Sequence, residues 1–76
     1  MRYAIVIEKA EHHYAAHAPD VPGCVATGAS LEEVRAQMQE ALQFHFEATV
    51  ENHEPIPAPT SLVEYVDVDV PVTAEV

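Results

Sequence analysis

Positive charge is what this 76-residue chain has least of. Three Lys and Arg stand against thirteen Asp and Glu, a formal net charge of −10. Proteins hold phosphate backbones with Lys and Arg, so no nucleic-acid partner is expected for this chain alone, and an anionic membrane surface is disfavoured for the same reason. Cysteine is almost absent. The single Cys24 allows no internal disulfide and reads as a small apolar side chain in a strand. A catalytic thiol would need a nearby base and a cationic setting, which so acidic a chain does not offer. Two glycines leave no Gly-rich phosphate loop. The N-terminal M-R-Y-A-I-V-I-E-K carries four consecutive apolar residues and then charges, too short for a signal peptide or a membrane span. A cytoplasmic protein is expected.

What is present is enough for one domain over 1–76. At 49% hydrophobic the chain can fold despite its charge. A domain of this size buries only about 60% of its unfolded surface, so a homo-oligomer, dimer or tetramer, is expected to supplement the core. The excess of carboxylates favours a basic partner through long-range steering.

The residues at 19–34, P-D-V-P-G-C-V-A-T-G-A-S-L-E-E-V, organise the rest. Pro19-Asp20 and Pro22-Gly23 are turn chemistry. Residues 24–27 read as a strand that Gly28 breaks. Ser30 is a good N-cap, and Glu33 three residues later completes the form of a capping box. A hairpin is therefore expected before this stretch and a helix after it.

Residues 3–7 form the first strand, with Tyr3, Ile5 and Ile7 on one face and Ala4 and Val6 on the other. Apolar residues on both faces suit a central strand or an oligomer interface. The polar 8–13 connects to a returning strand at 14–18. The helix spans 30 to about 51. Leu31, Val34, Met38, Leu42, Phe46 and Thr49 recur at spacings of three and four and make one stripe. Phe44 points roughly 140° from the centre of that stripe, which makes it the candidate for an oligomer interface. Asn52-His53-Glu54 closes the helix and Pro55 stops it; 55–59 is a stiff crossover linker. Residues 62–70 alternate, with Val66, Val68 and Val70 opposite Asp67 and Asp69, and read as the last strand. Pro71 ends it, and 72–76 is a tail. The order is β-β-β-α-β, an α+β domain in which the helix covers one face of the sheet.

The ordered set Tyr14, Pro19-Asp20-Val21-Pro22-Gly23-Cys24, Thr27-Gly28 and Ser30-Leu31-Glu32-Glu33 resembles the signature of HicB-like antitoxins. It is strongest over 1–50 and looser over 55–76. The resemblance implies a partial ribonuclease-H-like sheet with one helix packed on a face and the last strand beside the first. It also implies a partner: a small, basic HicA-like ribonuclease toxin with a double-stranded-RNA-binding-like fold, whose RNA-binding and catalytic surface the antitoxin covers. Full HicB antitoxins usually carry a C-terminal DNA-binding module. No basic helix follows the last strand here, so a short form with the N-terminal domain only is expected.

The other constellations are weaker. A two-metal nuclease needs several carboxylates converging on one point, but the first strand centres on Ala4-Ile5-Val6 and Asp67 and Asp69 are only two. A weak metal-dependent nuclease is the least favoured reading. His12, His13, His17, His45 and His53 show no tetrahedral ligand set, so neither a metal site nor a cofactor is expected. No catalytic residues stand out, and no enzyme is expected. The leading expectation is an antitoxin domain that mimics the charge of RNA, with Glu8 and Glu11 at the hairpin and Asp67 and Asp69 on the last strand as candidate partner-binding carboxylates. The alternative is an orphan homo-oligomeric structural or ligand-binding domain with no toxin.

Overall fold

In the computed structural model, residues 1–72 are described. Three strands come first, β1 (Val6–Lys9), β2 (Tyr14–His17) and β3 (Val25–Gly28), and one helix follows, α1 (Leu31–Glu51). The sheet is antiparallel in the order β1-β2-β3. Lys9 faces Tyr14 beside the first turn, and Val6 faces His17 at the far end; Tyr14 in turn faces Gly28, and His17 faces Val25. The α+β architecture expected from the sequence is therefore present.

The two turns fix the register. In the first, Ala10 donates its N–H to the His13 carbonyl at 2.8 Å. In the second, Val21 donates to Ala18 at 3.1 Å and Cys24 to Val21 at 3.2 Å, while Ala18 donates to Cys24 at 3.3 Å. Gly23 takes φ +83°, the left-handed geometry that glycine reaches without steric cost. Val21 is folded under the turn and only 1% exposed.

This register displaces β1 from its expected span of 3–7 to Val6–Lys9. Continued in the same register, residues 3–5 would oppose 18–20. There the Ala18 N–H is committed to Cys24 and Pro19 has no N–H to give. Tyr3 and Ile5 still pack against the core, outside any ladder. The third strand is also displaced by one residue: Cys24 precedes it, and Gly28, expected to break it, is its last member. A side chain at position 28 would bring Cβ within 2.5 Å of the Val34 backbone nitrogen. At Gly28 the helix backbone thus comes close enough to the sheet to leave no room for a side chain.

Ser30 caps α1 as its sequence suggests, its Oγ accepting the Glu33 N–H at 3.0 Å, and Glu32 and Glu33 sit in the first turn, where the helix dipole favours anions. Val34 and Met38 are fully buried against Ala16, Ala18, Val21 and Cys24. Leu42 and Phe46 continue the stripe half-buried, whereas Leu31, in the first turn, is 47% exposed. The helix ends in a Schellman arrangement: His53 donates to the Val50 carbonyl and Glu54 to the Thr49 carbonyl, both at 3.0 Å. The residue in the left-handed position is His53, at φ 57°.

The expected last strand requires correction. Residues 62–70 pair with no strand among the described residues, so the structure does not place them beside β1. They run outward as an extended strip. The radius of gyration is 15.6 Å, against about 11 Å for a compact chain of this length. The long dimension is 54 Å, well beyond the roughly 32 Å of a 21-residue helix. The tail expected at 72–76 lies, beyond Val72, outside the described residues.

Candidate partner-binding surface

The root of the strip is built from the turn at 19–23. Asp20 reaches across the chain to Thr60 and Ser61 and accepts four hydrogen bonds from them. The Ser61 hydroxyl donates at 2.7 Å and its N–H at 2.9 Å; the Thr60 N–H donates at 3.0 Å and its hydroxyl at 3.1 Å. Hydrogen bonds to a charged carboxylate favour the charged form. Those from Ser61, foremost its backbone N–H, hold the Asp20 carboxyl below the usual carboxylate range. A second tie lies just upstream, where the Tyr3 hydroxyl donates to the Pro57 carbonyl at 2.6 Å. The Tyr3 ring packs on Phe46 at 5.0 Å between centroids.

These ties decide where the strip leaves. Tyr3 and Asp20 lie at the same end of the sheet, the end at which Val6 faces His17. The chain passes from the β1 side at Pro57 to the β2–β3 turn at Ser61 and then departs. Beyond that root the alternating side chains are open to solvent: Tyr65 is 91% exposed, Val66 81% and Val68 73%.

Two further surfaces are left open. A groove of about 480 Å³ runs between the first residues of the chain and α1, lined by Tyr3, Ile5, Leu42, Phe46 and Ile56 with Arg35 at its margin. On the opposite side of the sheet, Glu8, Ala15, His17, Val25 and Thr27 line a shallow open face on which Val25 is 65% exposed.

The four candidate carboxylates fall on separate parts of the molecule. Glu8 sits on β1 opposite Ala15. Glu11 is in the first turn, its carboxylate 3.8 Å from His12 Nε2, with both side chains largely exposed. Asp67 and Asp69 ride on the strip, whose root is at the other end of the sheet from that turn. Phe44 stands 75% exposed on α1. Among the described residues no three His, Cys, Asp or Glu side chains are grouped so as to hold a metal ion. Cys24 is buried, and burial pushes its thiol up, away from the thiolate that nucleophilic chemistry requires. No helix among them is long and apolar enough to cross a membrane.

Sequence reasoning missed Asp20 as a clamp. The signal was faint: an Asp in a turn and a Thr-Ser pair after a proline run, 40 positions apart.

Residues 3–70 match the family described as the HicB_like antitoxin of bacterial toxin-antitoxin systems. The chain belongs to that family. One of its curated relatives carries that name. Antitoxin HicB 2 of Photorhabdus laumondii is 34% identical over 77 residues, covering all of this chain and 55% of the relative. An uncharacterised 14.9 kDa protein from the rep-hol intergenic region of Haemophilus phage HP1 is 37% identical over 67 residues, 88% of this chain and 50% of the phage protein. A UPF0150 protein of Archaeoglobus fulgidus is 40% identical over 48 residues, 62% of this chain and 70% of that protein. This HicB-like chain thus spans about half the length of the phage and Photorhabdus proteins. Among solved structures, a chain of the HicA3 and HicB3 toxin-antitoxin complex superposes with a TM-score of 0.68 at 29% identity, covering 78% of this chain and 69% of that one.

Proposed function

We propose that this HicB-like chain binds a small, basic HicA-like ribonuclease toxin and neutralises it by covering the toxin's RNA-binding surface. The family match over 3–70 carries the reading, and the likeness to a chain of a HicA3 and HicB3 complex supports it. The physics agrees with it. A net charge of −10 gives a field that steers a basic protein inward, and exposed carboxylates can occupy the positions that phosphates take on such a surface. Glu8, Glu11, Asp67 and Asp69 are the proposed contacts. Asp67 and Asp69 lie on a strip whose Tyr65, 91% exposed, shares their face by alternation, so charge and an aromatic surface come from one element. Phe44 is proposed as a contact between copies of the chain.

The test is a pull-down of the product of the adjacent reading frame by the full chain, repeated from low to high salt. Charge-driven capture weakens as ionic strength rises and the screening length falls from about 30 Å at 0.01 M to about 8 Å at 0.15 M. Replacing Asp67 and Asp69 together by Lys reduces capture if the strip is the contact. Undiminished capture by that variant removes the strip from the interface.

A further inference from the structure

We propose that the strip at 62–70 is an exchanged strand: in a homodimer each copy lays it along the free edge of the other's first strand, with Val66, Val68 and Val70 turned into the other's groove beside α1.

Four observations lead there. Residues 66–70 have the alternation of a strand with one buried face, yet Val66 is 81% and Val68 73% exposed. An alternating run with no partner strand leaves its backbone groups to water and its apolar face uncovered.

The chain's own β1 edge is free, since β1 is the terminal strand of the sheet. The strip is directed away from that edge by its root, because Asp20 holds Thr60 and Ser61 at the β2–β3 turn, one strand in from β1. A second copy presents the same free edge with no such constraint.

The charges match. Arg2 and Lys9, two of the three cations of the whole chain, stand four residues before β1 and at its last position, with Glu8 the one acid among residues 2–9. The strip carries Glu64, Asp67 and Asp69 and no cation. In a chain of net charge −10, 2–9 is a stretch of net positive charge, and the strip is the acidic strand that complements it.

The dimensions match as well. Nine residues of strand span about 30 Å against about 13 Å for the four of β1, so the strip covers β1 and runs on past it along residues 2–5. The groove of about 480 Å³ beside that edge is lined by Tyr3, Ile5, Leu42, Phe46 and Ile56, an apolar wall for the valines. Nine strip residues, eight edge residues and the groove together reach the 20–30 residues per side of a stable interface. The reciprocal contact is isologous, the usual form of a two-fold dimer.

The exchange has a consequence for the site. With the valines toward α1, Asp67 and Asp69 emerge on the open face of the partner's sheet, the face that carries Glu8. This consequence rests on the toxin-binding reading; the exchange itself does not, and its test contains no toxin.

The experiment is made on the full chain. A mixture of equal parts isotope-labelled and unlabelled protein, co-refolded so that chains exchange, is examined by isotope-filtered NOE spectroscopy, with sedimentation velocity to give the mass. The expected result is a dimer with inter-chain NOEs from the Val66 and Val68 methyls to Ile5 and Leu42. Val68→Pro removes a ladder donor from the strip while leaving the Ser30-capped helix and the core untouched; it shifts the dissociation constant at least tenfold toward monomer with unchanged helical circular dichroism. Lys9→Glu, on the receiving edge, weakens the dimer a few-fold. A monomer at high micromolar concentration, a dimer whose 62–70 contacts to β1 are all within one chain, or a dimer unmoved by Val68→Pro overturns the proposal.

Discussion

Asp20 and Ser61 meet across 41 positions of sequence, with the Ser61 N–H at 2.9 Å and its hydroxyl at 2.7 Å from the two carboxylate oxygens of Asp20. This pairing, with its Thr60 counterpart, fastens the C-terminal strip to a turn that lies inside the family signature. It gives the proline-rich connector a defined end.

The clamp depends on pH. The Asp20 carboxyl is held below its ordinary value of 3.8 by the Ser61 and Thr60 donors. A carboxylate whose folded pKa is depressed contributes fully above the unfolded value and loses that contribution as pH falls through the folded value. The Thr60 and Ser61 amides should therefore stay protected from exchange at neutral pH and lose protection only once the pH has fallen below the ordinary carboxylate value of 3.8. Asp20→Ala should abolish their protection at every pH while leaving the helical circular dichroism unchanged, as amide exchange followed by NMR would show.

Gly28 tests the helix–sheet approach. A Cβ there would lie 2.5 Å from the Val34 nitrogen and 2.8 Å from its Cα, both backbone atoms that cannot rotate aside. Gly28→Ala should destabilise the domain by about 1–3 kcal/mol, the cost of an overpacked contact. In a chain of 76 residues that is a large share of the whole, since stability runs at roughly 0.05–0.15 kcal/mol per residue. Urea unfolding checks it through a fall in midpoint.

His53 offers the opposite sign. It occupies the left-handed position of a Schellman cap at φ 57°, where an L side chain costs about 1–2 kcal/mol and glycine costs little. After the greater flexibility of glycine in the unfolded chain is subtracted, His53→Gly should stabilise by about 0.5–1 kcal/mol. Thermal unfolding should show a higher midpoint.

Phe44 should be nearly silent in folding. It is 75% exposed, so Phe44→Ser should change stability by less than about 0.5 kcal/mol. If it joins copies of the chain, as proposed, the same substitution should lower the sedimentation coefficient at fixed concentration. Equal coefficients for both proteins would remove Phe44 from any interface.

The helix was legible because its signals are local. Ser30, Glu33 and the spacing of Val34, Met38 and Leu42 all lie within a dozen residues, and each reports on its neighbours. The turn at Gly23 was legible for the same reason. The span of β1 was not, because it depends on a hydrogen bond between Ala18 and Cys24 that closes a different turn. Gly28 read as a strand breaker because a sequence shows the missing side chain but not the helix backbone that needs its absence. The alternation of Val66, Val68 and Val70 with Asp67 and Asp69 reads as a strand with one buried face, whereas all three valines are exposed. It could not say which edge the strip meets, since a strand is defined by a partner and the partner is not local. Among the candidate carboxylates, Glu11 lies in the hairpin connection as read, Glu8 falls on β1 instead, and Asp67 and Asp69 ride on a strip whose root is held by Asp20.

The central claim is neutralisation of a ribonuclease, and it is tested most directly by titration. The product of the adjacent reading frame is assayed for RNA cleavage while this chain is added in increasing amounts. The account predicts that cleavage falls to background at a fixed stoichiometry, and that inhibition is relieved by salt and by exchanging Asp67 and Asp69 for Lys. Cleavage that continues undiminished at a several-fold excess of this chain would contradict it.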